Sequence, residues 1–148
     1  MKDRLIAGGF AGAVAGLIQN LYGNLVKFLG VSDRAFADFA LVMITFKPYS
    51  GFAAFLVGII SHTIVGTIFG VIFAYIILIT SSRYNLIKGL GFGAVLWFLL
   101  SGFGTIFRLP LFKNIPPGDA ISTFVGALIY GILTAYGLML LDKRTKLL

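Results

Sequence analysis

The chain has no cysteine and no glutamate, and only one histidine, one tryptophan and five aspartates in 148 residues. Each scarcity removes a class of chemistry. Without cysteine there is no disulfide, thiolate nucleophile or thiolate metal site within the chain. The aspartates Asp3, Asp33, Asp38, Asp119 and Asp142 all fall at the ends of apolar runs or between them, so no carboxylate pair stands in mid-segment for acid–base work. His62 has no second imidazole for a metal and no serine–acid arrangement around it. Haem ligation would need an axial partner from another chain or from Met43 or Met139. The residues therefore predict no enzyme, no metal and no cofactor.

Charge is scarce as well. Charged residues make up 11% of the chain and hydrophobic residues 59%, whereas roughly a quarter of a soluble domain is charged. The formal net charge of +7 raises the question of nucleic acid. Lys and Arg, however, sit almost entirely in the gaps between apolar stretches, where anionic lipid headgroups lie. They read as topology and anchoring signals, and no nucleic-acid partner is expected.

What the chain has in quantity is long apolar runs. A helix needs about 20 predominantly apolar residues to cross the hydrocarbon core, and in lipid its backbone polar groups must pair within the segment. The first run extends from Leu5 to Leu29 and stops at Gly30; it is too long for a signal-peptide core and reads as an uncleaved first span. Ser32 and Asp33 offer capping oxygens for a new start. Phe36, Phe39, Ala40, Met43 and Phe46 then recur at helical spacing, which suits a short amphipathic helix at the membrane surface. Pro48 and Gly51 interrupt it. A second span follows to Thr80, Ser81 to Asn85 form a polar turn, and the third span covers Leu86 to Phe107. Pro110, Pro116 and Pro117 impose a loop over Leu109 to Gly118, and the fourth span runs from Asp119, a cap, to Leu141.

With four spans, Lys2, Arg4, Arg83, Lys88, Lys143, Arg144 and Lys146 fall on one side, and Lys27, Arg34, Lys47, Arg108 and Lys113 on the other. The excess predicts a multi-pass cell-membrane protein with both termini cytoplasmic.

The third span overlays the first. Leu5, Ile6, Gly8, Gly12, Ala13 and Val14 match Leu86, Ile87, Gly89, Gly93, Ala94 and Val95, and Gly23 meets Gly104. Polar positions follow the same register: Asn20 with Ser101, Asn24 with Thr105, Lys27 with Arg108. For the second and fourth spans, Val57 and Gly58 lie over Val125 and Gly126, and Gly51 and Ala53 over Gly118 and Ala120. The expected fold is an all-α polytopic membrane four-helix bundle of two tandem two-helix repeats, 1–80 and 81–148, forming one transmembrane domain. The copies share an orientation, so their pseudo-twofold axis stands along the membrane normal.

Two patterns name candidate residues. Small residues recur every fourth position: Gly8, Gly12 and Gly16 in the first span, and Gly58, Gly66 and Gly70 in the second. Gly89 and Gly93 in the third and Gly131 in the fourth extend the pattern. Such ridges let helices approach closely where lipid gives no hydrophobic drive between them. The second pattern is the stripe Asn20, Asn24, Lys27 with its counterparts Ser101, Thr105, Arg108. Polar groups inside a membrane are expensive and turn toward protein or a wet cavity. If the two stripes face each other, they line a vestibule for an anion or small polar solute, with His62 as a further contact or proton carrier. Against this stand snorkelling for Lys27 and Arg108, and ordinary interhelical hydrogen bonding for Asn20, Asn24 and His62.

The run His62, Gly66, Gly70 resembles a helix of small four-helix bacterial membrane proteins of unknown function. Lys88, Gly89, Gly93 and Trp97, with a proline-bearing exit at Pro110, form a second similar stretch. The resemblance implies the fold and no activity. Fluoride channels are also small four-helix proteins with an asparagine in a helix, but their phenylalanine and sodium-site pattern does not occur here.

Two functions stay open on the residues: a channel or transporter unit for an anion or small polar solute, and a non-transporting assembly, lipid-binding or accessory subunit. The expected partners are membrane lipid and either further copies of the chain or another membrane protein.

Overall fold

The computed structural model describes residues 3–81 and 83–145, the side chains of 143–145 left aside. Among the described residues all regular structure is helical: α1 Arg4–Phe28, α2 Phe36–Thr45, α3 Phe52–Thr80, α4 Asn85–Ile106 and α5 Pro117–Thr145. Four of these, α1, α3, α4 and α5 as far as Asp142, are long and apolar enough to cross a membrane.

The helix ends follow local chemistry. At the start of α1 the Asp3 carboxylate accepts from the Ile6 N–H at 3.1 Å, which satisfies one of the unpaired first-turn donors. α1 ends at Gly30, whose φ of 72° lets the N–H groups of Gly30 and Val31 turn back to the carbonyls of Lys27 and Val26. α4 ends in the same way at Arg108, φ 52°, with the N–H groups of Arg108 and Leu109 bonded to the Thr105 and Gly104 carbonyls.

The expected caps differ. Ala35, not Ser32 or Asp33, precedes α2, and the Asp38 carboxylate reaches back to its N–H at 2.7 Å. α5 begins at Pro117, because proline's missing N–H and fixed φ suit a first helical position. Asp119 is thereby freed for a different task. Its carboxylate, 1% exposed, accepts from the Ser32 hydroxyl at 2.7 Å and the Asp33 N–H at 2.8 Å. It also pairs with Arg34 Nε at 3.3 Å, while Arg34 Nη1 donates to the Leu111 carbonyl. One buried carboxylate thus ties the α1–α2 loop, the α4–α5 loop and the first turn of α5 together.

α1 packs on α3 and on α5, and α5 on α4; the backbones of α3 and α4 stay apart and meet through the rings of Phe69, Phe73 and Phe92. The four long helices therefore form a ring with one open side. Glycine governs the two closest approaches. A methyl group added at Gly8 or Gly12 would strike the α3 backbone at Gly70 or Gly66, and one at Gly70 would strike the backbone of Gly8 and Gly12. Across the other pair, Gly89 and Gly131 press backbone against backbone, and Gly93 meets the Ala127 carbonyl. Gly16 is looser, with 3.8 Å to the Gly66 Cα.

Gly58 does not belong to the α1-facing ridge. It lies against the Ala37 backbone of α2. That contact seats α2 on α3, burying Ala37, Ala40, Leu41 and Val42. The short helix is thus packed onto the bundle through one face. Val42 also joins Leu109 and Phe112 of the α4–α5 loop in an apolar cluster. That loop turns through left-handed backbone at Leu111 and Asn114. α2 and the loop close one end of the bundle; Arg4 and Thr145 lie at the other.

Candidate functional site

The open side of the ring leads to a cavity of about 110 Å³ under α2 and the α4–α5 loop. Every helix contributes to its wall. α2 supplies Phe36, Phe39 and Met43 from the face that its helical spacing gathers, and the loop supplies Phe112 and Ile115. Phe36 stands 5.4 Å from the His62 ring, and Phe39 meets Phe112 edge to face at 5.0 Å between centroids. Gly23 and Gly104 make room for this roof: a methyl at either would collide with the ring of Phe36 or of Phe112. Deeper in, Val65 and Phe69 of α3 face Leu96 and Trp97 of α4, with Ala127 and Tyr130 of α5 behind.

Six polar side chains reach this wall, and three already have partners within it. The Tyr130 hydroxyl donates to the Gly66 carbonyl at 2.6 Å. Trp97 Nε1 donates to the Thr123 hydroxyl at 3.1 Å, and that hydroxyl donates to the Asp119 carbonyl at 2.7 Å. The other three are Gln19 on α1, His62 on α3 and Ser101 on α4. Among the described residues none of them makes a side-chain hydrogen bond within the normal geometric limits. The His62 ring lies against the Gly16 backbone. Its Nδ1 is sealed from solvent without a partner. The amide of Gln19 and the hydroxyl of Ser101 are not sealed. No charged side chain among the described residues lines the cavity.

The sequence-derived stripe divides. His62 and Ser101 reach the cavity. Asn20 is 3% exposed with neither end of its amide bonded, and Asn24 donates to the Asn20 carbonyl at 2.8 Å. Lys27 is held by Asp38 of α2 at 2.6 Å. On α4 the exposed Thr105 bonds its own helix at the Ser101 carbonyl, and the exposed Arg108 ends the helix. The two halves of the stripe stand on α1 and α4, which are not packed together and both lean on α5.

Gln19, Trp97, Thr123 and Tyr130 were not singled out by spacing. Gln19 adjoins Asn20 but lies about 100° further round the helix. A glutamine inside an apolar run was the available signal, since such groups are expensive in lipid.

A second recess, of about 460 Å³, follows α1 and α5 between Phe10, Val14, Leu133 and Leu140. Among the described residues its wall is apolar apart from Tyr136.

The cavity can therefore receive an uncharged, mostly apolar molecule and offer it three neutral hydrogen-bonding groups from three helices. Comparison with known proteins yields no match among family models, curated proteins or solved structures.

Proposed function

We propose that this chain is a four-span integral membrane protein that holds a neutral lipid in the cleft between α3 and α4, acting as a lipid-binding accessory subunit without catalysis of its own. The observation that carries the reading is the cavity: apolar, aromatic-lined, free of charge among the described residues, and placed where the ring of helices is open. In a bilayer that opening faces acyl chains, so a lipid enters sideways without crossing water. The excess of Lys and Arg on the side of the termini supports a cytoplasmic placement for both.

Duplication of a helix pair accounts for the arrangement. The α1–α3 contact at Gly12, Gly66 and Gly70 has its counterpart in the α4–α5 contact at Gly93, Ala127 and Gly131. Gly23 under Phe36 has its counterpart in Gly104 under Phe112. These contacts set Gly70 against Gly131 and Ala74 against Ala135, about two turns from the register that Val57, Gly58, Val125 and Gly126 suggest. In a symmetric pair the α1–α5 seam would be repeated between α4 and α3. It is not, and the cleft occupies that place.

The permeation reading has less support. Lys27, its first cation, is an ion pair with Asp38, and the glycine ridges bring backbones into contact, which leaves no lumen between the paired helices.

The test is lipid retention. Protein purified in a mild detergent and extracted into organic solvent should yield about one neutral lipid per chain by mass spectrometry. Filling the cavity with Val65→Trp or Ala127→Phe should remove it while thermal unfolding confirms a folded bundle. Equal lipid content in folded wild-type and filled variants, matching the micelle background, defeats the reading.

A further inference from the structure

We propose that the lipid held in the cleft carries a flat, uncharged ring with oxygens on opposite edges, of the quinone class, with the ring in the cavity and an apolar tail leaving between α3 and α4. This rests on the lipid-binding reading and adds the chemistry of the head.

Size comes first. An apolar protein cavity of about 150 Å³ takes up a benzene-sized molecule and otherwise stays dry. The cavity here, about 110 Å³, matches one ring and is too small for a phosphorylated glycerol head. The tail therefore lies outside it, and the open side between α3 and α4 is where it leaves.

Shape is set by the aromatics. Phe36, Phe39, Phe69, Trp97 and Phe112 come from four different segments and present faces and edges around one space. Phe39 meets Phe112 edge to face and Phe36 is tilted against the His62 ring, arrangements that ring quadrupoles favour, so a further flat ring can be received among them. A linear chain needs no such surroundings, because acyl tails pack equally well on Leu and Ile.

Polarity decides the substituents. Gln19, His62 and Ser101 approach from α1, α3 and α4, and among the described residues their side chains are the polar wall groups left unbonded apart from the approach of the His62 ring to the Gly16 backbone. Gln19 and His62 stand on the packed pair α1 and α3 and Ser101 on α4, so a molecule with one polar end satisfies only part of the set. A ring with oxygens on opposite edges engages two sides at once. A glutamine amide through its NH2 or its carbonyl oxygen, an imidazole edge and a hydroxyl can each donate to a carbonyl oxygen or accept from a hydroxyl, so oxidised and reduced rings are both accommodated. A carboxylate or phosphate is disfavoured, because burying an anion without a cation is costly and no cation among the described residues lines the wall.

The protein carries its own reporter. Trp97 is the sole tryptophan, lies in the cavity wall, and would be quenched by a quinone in contact with it. The experiment titrates decyl-benzoquinone into the full chain in detergent micelles and follows tryptophan emission. A control carrying W97F and F98W moves the indole to the outward-facing neighbour, where Phe98 is 71% exposed, and reports simple partition into the micelle.

The proposal expects saturable quenching at Trp97 and only linear quenching at position 98. Apparent affinity should fall at least tenfold in His62→Ala and in Gln19→Leu, each shown to be folded by circular dichroism. Decanol, with the same chain length and a hydroxyl but no ring, should displace the quinone poorly. Displacement by decanol as effective as by decyl-benzoquinone itself would overturn the ring head and leave the lipid cleft standing. Linear quenching at both positions, with no displacement by decanol or by an acyl lipid, would overturn both. Saturable binding unchanged in both variants would overturn the assignment of the polar groups and with it the head chemistry.

Discussion

Tyr130 of α5 donates its hydroxyl hydrogen to the Gly66 carbonyl of α3 across 2.6 Å, linking two helices that otherwise meet at few points. The acceptor lies on the glycine ridge, where the missing side chain leaves a carbonyl within reach of a neighbour. Tyr130→Phe keeps the ring and removes the bond. The expected loss is about 1 kcal/mol of stability, read as a lower midpoint in thermal unfolding of the purified protein. An unchanged midpoint would show that the bond is not formed in the folded protein.

Glycine substitutions should sort by what faces each position. Gly12→Ala and Gly93→Ala drive a methyl into a neighbouring backbone and should cost about 1–3 kcal/mol. Gly16→Ala meets only ordinary van der Waals distances of 3.8–3.9 Å and should be close to neutral. Gly91→Ala has nothing within 4 Å, so it should gain roughly 0.5–1 kcal/mol from helix propensity alone. Unfolding midpoints of the four variants in one detergent check the order, and equal effects at Gly12 and Gly91 would contradict the packing.

Asp119 is the most exacting position at the α2 end. Asp119→Ala leaves Arg34, the Ser32 hydroxyl and the Asp33 N–H without their shared acceptor, and removal of one partner from a buried pair costs about 3–5 kcal/mol. Asp119→Asn keeps an acceptor oxygen and loses the charge, so its cost should be the smaller. Limited proteolysis should then cut the Ser32–Arg34 and Lys113–Asn114 loops faster in the alanine variant. Equal protease resistance would separate Asp119 from both loops.

Lys27 and Arg108 should matter little to ion movement. Lys27 is an exposed ion pair with Asp38, of a kind worth at most about 1 kcal/mol, and Arg108 holds the left-handed position that ends α4. Arg108→Gly removes a side chain from a conformation glycine prefers and should raise stability by about 1 kcal/mol. Chloride flux into proteoliposomes should stay at the level of empty liposomes, for wild type and for Lys27→Gln with Arg108→Gln alike. A wild-type flux that the double variant abolishes would restore the permeation reading.

The long helices were legible because an apolar run of their length has few alternatives, and Gly30 and Pro110 mark where the first and third of them stop, as Pro48 marks the end of the short α2. The glycine spacing was legible too, but not its partners. Gly58, Gly66 and Gly70 read as one ridge, yet Gly58 meets α2 while the other two meet α1. A four-residue spacing drifts around a helix of 3.6 residues per turn, so a long ridge turns from one neighbour toward the next. The Asp119–Arg34 pair was invisible, since its members lie far apart in sequence and each alone looks like a loop charge. His62 and Ser101 were found as polar intruders in apolar sequence. Gln19 fell beside a more conspicuous asparagine; Phe36, Phe39 and Met43 were legible as one helical face, but Phe69, Trp97 and Phe112 were not, because an aromatic residue in an apolar run looks the same whether it faces lipid or a cavity.

Two helix pairs joined along one edge behave like a hinged book. The spine is the α1–α5 seam, where Ala11 lies opposite Gly137 and small side chains fill the contact. Away from the spine, the covers also meet through the Asp119 clasp and the Val42, Leu109 and Phe112 cluster at one end, the Tyr130 bond across the middle and the Phe73–Phe92 ring contact between α3 and α4. How far the pages stand apart therefore depends in part on the side of the molecule away from the cleft. A wedge in the spine, such as Ala11→Leu, would change the gap between α3 and α4 without touching any residue that lines it, and mutations distant from the cavity would act on its contents through this leverage.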